Sequence, residues 1–256
     1  MTYIINENAD TEFITGLKAN EKIDISIFEK ALHDTHEVIK EITRNIPVDI
    51  FSILGMRNLS AFIGELFSKC LAKESNGRYI SNPHQDGYPD LLLMDKQGYE
   101  LYEHIASQAG LRDKAPFSPF RNGGLEIKAT CGTVPTPARC ARIGIEKPGM
   151  GDSRISVLTS YDWKAHHRET NNLVGILWDF IDGLPYIIAV FFGKNLNEND
   201  WGNIIQPKEG GGRTTSVSIM NRGGVYKMYR NWIAVKNAPH YIEFINKYNK
   251  GDIIPL

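Results

Sequence analysis

The sequence predicts a mixed α/β (α+β) fold in which a central mixed β-sheet is flanked by helices. Two amphipathic helical patterns come first along the chain, and short apolar strand patterns follow them, an order typical of sheets covered by helices. The chain has 256 residues, of which 42% are hydrophobic and 23% are charged. Because this length and composition can bury one large core, we expect a single domain over residues 1–256.

Four segments carry helical spacing of apolar residues. Ser26–Arg44 is predicted to be a helix that stops before Pro47, and Asn58–Lys73 repeats apolar residues at i, i+3, i+4 and i+7. Tyr99–Ala109 and His240–Tyr248 are shorter helical patterns. The helices are therefore expected mainly in the N-terminal half and at the C-terminus.

Short apolar runs bounded by turn residues predict the strands. These runs are Arg78–Ser81, Asp90–Met94, Leu125–Thr130, Leu173–Phe180, Tyr186–Phe192 and Val225–Val235. The stretch from Thr130 to Asp152 is rich in Pro and Gly and is predicted to form loops, and Lys208–Arg213 is predicted to be a Gly-rich loop.

The charges are distributed unevenly along the chain. The formal net charge is −1, which does not indicate a general nucleic-acid binder. Residues 1–120 contain 12 Lys and Arg against 18 Asp and Glu, whereas residues 121–256 contain 17 against 12. The basic C-terminal half is compatible with a surface that contacts phosphates, although ordinary surface charge explains the same counts.

The three cysteines, Cys70, Cys131 and Cys140, show no C-x-x-C spacing. A disulfide framework and a structural zinc site are therefore both disfavoured. The N-terminus lacks the basic start of a secretory signal, and no apolar run approaches membrane-spanning length. We expect a cytoplasmic protein without a membrane partner.

Two short segments place acids on neighbouring predicted strands, namely Pro89-Asp90 and Glu126-Ile127-Lys128. Side chains alternate along a strand, so Glu126 and Lys128 share one face while Ile127 points to the core. Two carboxylates suit a hard cation such as Mg²⁺, and a lysine adds positive charge beside a phosphodiester. The pattern predicts Asp90 and Glu126 as metal ligands and Lys128 as a catalytic residue. The simpler alternative is a pair of surface acids at strand ends.

This arrangement resembles the PD-(D/E)xK nucleases and, among them, the type II restriction endonucleases of the EcoRV branch. The matching segments are Glu65-Leu66-Phe67-Ser68, His84-Gln85, Tyr88-Pro89-Asp90 and Glu126-Ile127-Lys128-Ala129-Thr130. The later run from Gly210 to Ser216 is similar to the loop with which that branch reads bases. The stretch between the two motif strands is longer here, and Arg213 stands where the EcoRV loop has an Asn, so no target sequence is carried over.

The resemblance implies a restriction-endonuclease-like fold, with a catalytic core at about residues 58–195 and a recognition segment at about 196–236. It implies a homodimer that uses Mg²⁺ to hydrolyse double-stranded DNA at specific palindromic sites, leaving 5′-phosphates and blunt ends. A companion DNA methyltransferase is the usual partner in such systems. A subgroup that reads palindromes such as GGNNCC, the NgoBV/NlaIV type, suits Arg213, because arginine pairs with guanine.

The resemblance also assigns roles to residues outside the central motif. Glu65 is expected to approach the metal site, although its place opposite the apolar stripe suits a solvent-facing side chain equally well. DNA contacts are expected from Gln85, Arg213, Thr214, Thr215, Ser216 and Arg222. His84 is more typical of a polar turn, and His166-His167 are treated as surface residues because no third ligand is spaced to join them.

Three other functions remain open at this point. The chain could be a repair or recombination nuclease that recognises DNA structure instead of sequence. It could be a non-enzymatic DNA-binding protein in which the motif occurs by chance. It could also be a metal-dependent hydrolase of small phosphate esters, with activity on nucleotides and none on duplex DNA.

Overall fold

The computed structural model describes residues 2–13, 21–108, 110–207, 215–249 and 254. The strands in this part of the chain are β1 (Tyr3–Ile5), β2 (Glu12–Phe13), β3 (Glu21–Lys22), β4 (Tyr79–Ser81), β5 (Leu91–Leu93), β6 (Gly124–Thr130), β7 (Lys164–Ala165), β8 (Leu173–Ile181), β9 (Leu184–Gly193), β10 (Ser218–Ile219) and β11 (Trp232–Lys236). The α-helices are α1 (Ile25–Asn45), α2 (Ile50–Glu74), α3 (Lys96–Ser107), α4 (Pro137–Ile143), α5 (Arg222–Arg230) and α6 (Pro239–Asn249).

The centre of the fold is a seven-stranded mixed sheet in the order β1-β11-β9-β8-β6-β5-β4. Strands β6 and β8 pair in parallel, and the other neighbours in this sheet pair antiparallel. Two small antiparallel pairs stand apart from it, β2 with β3 and β7 with β10. The structure therefore has the mixed α/β architecture that the sequence predicts.

Helices cover both faces of the sheet. On one face α1 and α2 pack their apolar residues, such as Phe28, Ile63 and Phe67, against the strands. On the other face Met228 and Tyr229 of α5 and Ile245 of α6 join a second cluster. Helix α3 covers the β5 end, in a smaller cluster with Phe117 and Phe120. Burial of these apolar surfaces on two sides of one sheet holds the layers together.

Most predicted elements are confirmed. The helical patterns at Ser26–Arg44 and Asn58–Lys73 lie inside α1 and α2, and those at Tyr99–Ala109 and His240–Tyr248 correspond to α3 and α6. The apolar runs that precede Val225 correspond to β4, β5, β6, β8 and β9.

Two predictions of local structure are wrong. Val225–Val235 is not one strand: its first part belongs to α5, which Asn221 caps by accepting a hydrogen bond from the Gly224 amide, and its second part is β11. The predicted loops between Thr130 and Asp152 contain the short helix α4. That helix begins with the Thr136 cap and Pro137 and ends at Gly144 in the left-handed conformation, which are ordinary start and stop signals.

Helix α2 is interrupted at Gly55, whose φ of 65° is not helical. By length and composition alone α2 is long and apolar enough to cross a membrane, contrary to the expectation that no apolar run approaches that length. However, Leu59, Ile63 and Phe67 are buried in the core, and core helices of soluble proteins pass the same test. Helix α2 is therefore not evidence for or against a membrane-spanning segment.

Candidate active site

Asp90 and Glu126 meet because β5 and β6 run antiparallel with Leu91 opposite Leu125. This register places Asp90, the residue before β5, opposite Glu126, the residue after Leu125. The Asp90 amide donates a hydrogen bond of 3.2 Å to Glu126 Oε2, and the Ile127 amide donates one of 2.7 Å to Asp90 Oδ2. The two carboxylates are thus fixed by the backbone of the opposite strand.

Lys128 lies on the same side of β6 as Glu126, two residues further along, as the period of a strand requires. Its Nζ is 2.5 Å from Glu126 Oε1 and 3.4 Å from Asp90 Oδ2. The intervening Ile127 is buried in the core cluster beneath α1 and α2. Two carboxylates and an ammonium group, predicted from two separate sequence segments, therefore converge on one point.

Burial changes the proton affinity of this group. The Glu126 side chain is 8% exposed, and its burial raises its pKa to about 7, against the opposing influence of Lys128. Burial disfavours the charged form of Lys128 as well, but the charges of Glu126 and Asp90 outweigh it and raise the pKa of Lys128. The lysine therefore stays positively charged at neutral pH, and burial holds the pKa of Glu126 above the usual range of a carboxyl group.

The turn that presents Asp90 is held by polar contacts. The Asn82 side chain donates hydrogen bonds to the carbonyl oxygens of Pro89 and Phe117, at 2.9 and 3.0 Å. The Tyr88 hydroxyl accepts a hydrogen bond from the Asn171 amide at 3.1 Å, and burial raises the pKa of Tyr88 to about 12. Asn82 and Tyr88 therefore fix the position of the segment that carries Asp90.

Asp90 and Lys128 line a cleft of about 500 Å³. One wall is α2, which approaches β6 closely at Gly64, where an added Cβ would be 3.7 Å from the Ala129 Cβ. The other wall consists of β7 and the chain around β10. The residues that line the cleft include Arg57, Ser60, Glu65, Lys164, His166, Thr215 and Val217.

The structure brings several predicted site residues to this cleft. Glu65 lines it from α2 together with Asp90 and Lys128. Gln85 lines an adjoining hollow of about 360 Å³ that also includes Glu65 and Asp90. Thr215 lines the opposite wall of the cleft, and the carbonyl oxygen of Ser216 lies 3.1 Å from His166 Nδ1.

Other predicted residues lie elsewhere. Arg213 and Thr214 fall outside the residues that the structure describes. Arg222 is the first residue of α5 and lines a different cavity, where its guanidinium lies 5.5 Å from the Tyr226 ring centre. His84 belongs to the turn, with its Nε2 3.0 Å from the Leu111 carbonyl oxygen.

Three cationic or titratable side chains of the cleft were not predicted as site residues: Arg57, Lys164 and His166. Arg57 follows the Gly55 break in α2, and Lys164 and His166 lie on and just after the short strand β7. Their positions depend on how α2 and β7 pack around β6. The only sequence signal near them is the His166-His167 pair, and adjacent residues point in different directions.

Asp90 and Glu126 are suitable ligands for Mg²⁺. Among the described residues no cluster of three or more His, Cys, Asp and Glu side chains is arranged to hold a metal ion. Mg²⁺ in phosphate-processing sites commonly uses one or two carboxylates and completes its shell with water and substrate phosphate oxygens. Asp90 faces the open cleft, Glu126 lies buried beside it, and the Lys128 ammonium offsets one of their two negative charges, an arrangement that fits that donor set.

Comparison with models of protein families, with curated proteins and with solved structures finds no match to this chain. The resemblance to the PD-(D/E)xK nucleases therefore depends on the residues and their geometry alone.

Proposed function

We propose that the protein is a Mg²⁺-dependent endonuclease of the type II restriction kind, acting on double-stranded DNA. The observation that carries this proposal is the convergence of Asp90, Glu126 and Lys128 at the edge of a cleft. Two carboxylates and a lysine on adjacent strands match the chemistry of phosphodiester hydrolysis. The seven-stranded sheet with helices on both faces is compatible with a restriction-endonuclease-like fold.

Each side chain has a role in this chemistry. Asp90 and Glu126 would hold Mg²⁺, which supplies Lewis-acid charge next to the scissile phosphate. The Lys128 ammonium stabilises the negative charge that develops on the phosphoryl oxygens, because it is fixed in place before reaction.

The walls of the cleft suit a DNA backbone. Arg57 on one side and Lys164 on the other add positive charge to that of Lys128, and phosphate contacts of this kind position a duplex without reading its sequence. Gln85 lies in the adjoining hollow and Thr215 on the far wall, where we propose that they contact DNA. Arg222 lies at a different cavity, so its contribution to DNA binding requires a surface beyond the cleft.

The remaining features of the proposal follow from the resemblance. They are a homodimer, a palindromic target read with the help of Arg213, Thr214 and Ser216, blunt ends with 5′-phosphates, and a companion methyltransferase in the cytoplasm. A two-fold symmetric enzyme matches a two-fold symmetric site.

The test is digestion of unmethylated plasmid DNA by the purified protein with Mg²⁺ and with EDTA. We expect discrete fragments with Mg²⁺ only, and run-off sequencing of their ends gives the target and the cut position. Asp90→Ala should abolish cleavage. Asp86→Ala is the matched control, because Asp86 is an exposed acid four residues earlier and lines neither the cleft nor the hollow.

Each alternative function has its own outcome in this experiment. Cleavage that depends on branches or ends and not on sequence would indicate a structure-specific nuclease. Hydrolysis of nucleotides without cleavage of duplex DNA would indicate a small-ester hydrolase. An Asp90→Ala protein that cuts like the wild type, or a wild type that cuts nothing, would refute the proposal.

A further inference from the structure

A second cavity, of about 830 Å³, lies in the layer formed by α5 and α6. It is bounded by α4, by the chain from Ile155 to Asp162, and by the two C-terminal helices. None of the described residues lines both this cavity and the catalytic cleft. Its volume is within the range of about 300–1,000 Å³ typical of small-molecule sites.

One wall of the cavity is aromatic. The rings of Tyr161 and Tyr229 stack with centroids 4.3 Å apart, and Phe244 and Tyr248 lie 5.5 and 5.2 Å from Tyr161. All four residues line the cavity, where Tyr161 and Tyr229 are almost fully buried and Phe244 and Tyr248 provide the accessible ring surface. Aromatic surfaces of this kind bind planar rings through stacking and edge contacts.

The same wall contains polar groups suited to a ligand. Tyr161 is 2% exposed, and its hydroxyl makes no hydrogen bond of acceptable geometry within the described part of the chain. It interacts with the Tyr229 hydroxyl, and a ligand group that offers a hydrogen bond of good geometry would be favoured there. The neighbouring Asp162 also lines the cavity and offers a carboxyl group to a ring N–H or an amino group.

Three cationic side chains complete the lining: Arg139 from α4, Arg222 from α5 and Lys247 from α6. They come from three separate helices and reach the same cavity. Arginine and lysine bind phosphate through charge-assisted hydrogen bonds. An aromatic wall with a carboxyl group, surrounded by cations, matches a ligand that joins a planar base to a phosphate.

We propose that this cavity binds a nucleotide, with its base against the aromatic wall and its phosphate on Arg139, Arg222 and Lys247. The site is separate from the catalytic cleft and does not depend on the nuclease activity. The nucleotide is either free in solution or one unit of a single DNA strand, because both present the same base and phosphate.

The test is isothermal titration calorimetry of the full chain with 5′-GMP, with 5′-AMP and with a short single-stranded DNA oligonucleotide. Lys247→Ala and Arg139→Ala should each weaken binding by about tenfold, the loss expected for one charge-assisted hydrogen bond. Arg142→Ala is the matched control, because Arg142 is exposed on the same helix as Arg139 but does not line the cavity. Lys247 and Arg139 are themselves exposed, so their variants should fold, which circular dichroism verifies.

Binding of a mononucleotide that is sensitive to Lys247→Ala and insensitive to Arg142→Ala would identify a site for free nucleotides. The same pattern with the oligonucleotide alone would identify a site for a nucleotide within a strand. No binding of any probe, or equal affinities for the wild type and the Lys247→Ala and Arg139→Ala variants, would refute the proposal. Because Asp90→Ala should retain the binding, the result is independent of the nuclease test.

Discussion

Lys128 and Glu126 form an ion pair beside the cleft that Asp90 lines, with Nζ of the lysine 2.5 Å from Oε1 of the glutamate. Asp90 Oδ2 lies 3.4 Å from the same ammonium group. One positive charge is therefore shared by two carboxylates that are proposed to hold a metal ion, which leaves one negative charge uncompensated. We expect Mg²⁺ to compete with the Lys128 ammonium for these two carboxylates.

The first prediction separates the two roles of Lys128. In Lys128→Ala the carboxylates lose their competing ammonium, so Mg²⁺ should bind more tightly, while cleavage should slow by roughly 10²–10³-fold through loss of a fixed charge near the phosphate. Calorimetry gives the Mg²⁺ affinity, and single-turnover cleavage gives the rate. Lys22→Ala, an exposed lysine on β3, is the control. Weaker Mg²⁺ binding in Lys128→Ala would contradict the competition.

The second prediction concerns Glu65, which lines the cleft from α2. A carboxylate there attracts cations, so Glu65→Ala should lower Mg²⁺ affinity roughly five- to tenfold, as expected for one unit charge a few ångströms away. Cleavage should fall at limiting Mg²⁺ and recover at saturating Mg²⁺. Glu41→Ala, an exposed acid on α1, serves as the control. An unchanged Mg²⁺ titration would leave Glu65 as a solvent-facing residue only.

The central motif could be predicted because its geometry is local. Alternation along one strand places Glu126 and Lys128 together, and one antiparallel neighbour is enough to add Asp90. Arg57 and Lys164 could not be predicted, because they reach the cleft only through the packing of α2 and the β7–β10 pair around β6. Such placements depend on tertiary contacts that no short window of sequence contains.

The error at Val225–Val235 has a different cause. Its Val, Tyr and Trp residues favour a strand by composition, but Val225, Met228 and Tyr229 are spaced i, i+3 and i+4, which is helical. The cap at Asn221 was a further helical signal. Spacing and capping outweigh composition here, because α5 buries Met228 and Tyr229 against the sheet.

The third prediction addresses the charged walls of the cleft. If Arg57 and Lys164 contact phosphates, replacing either residue with Ala should weaken the binding of duplex DNA whatever its sequence. Each replacement should also reduce, by about 1, the steepness with which the logarithm of the DNA-binding constant falls with the logarithm of the salt concentration. Binding is measured in EDTA over a range of salt concentrations. Lys96→Ala, with a side chain that is 88% exposed on α3, should leave the slope unchanged. An unchanged slope in both variants would place the DNA elsewhere.

The fourth prediction is a pH dependence of stability caused by His36. Burial lowers the pKa of His36 to about 3, since the ring is enclosed, stacks on Tyr186 at 3.7 Å and accepts a hydrogen bond from the Ile187 amide. Between about pH 6.5 and 3 the unfolded chain binds the proton that the folded chain excludes. The free energy of unfolding should therefore fall with decreasing pH, by about 1.4 kcal/mol per unit.

Urea unfolding at pH 7.5 and 5 measures this effect. His36→Gln should flatten the pH dependence, even though lost packing lowers its stability at both values. His33→Gln, whose side chain is 74% exposed, should retain the wild-type dependence. If the free energy of unfolding changed with pH equally in His36→Gln and in the wild type, the pH dependence would come from other titratable groups.

The fifth prediction tests whether the close approach of β5 to β6 builds the site. A Cβ added at Gly124 would lie 1.8 Å from the Leu91 carbonyl oxygen and 2.9 Å from Pro89 Cγ. Gly124→Ala must therefore push β5 away from β6, and Asp90, which immediately precedes β5, must move with it. We expect a loss of about 3 kcal/mol in the free energy of unfolding and a weaker affinity for Mg²⁺.

Gly64→Ala is the matched control on the same cleft, because its Cβ would make an ordinary contact of 3.7 Å with Ala129 and a helix gains up to about 1 kcal/mol from the change. If Gly124→Ala kept the wild-type stability and Mg²⁺ affinity, the register of β5 and β6 would not be what holds Asp90 against Glu126.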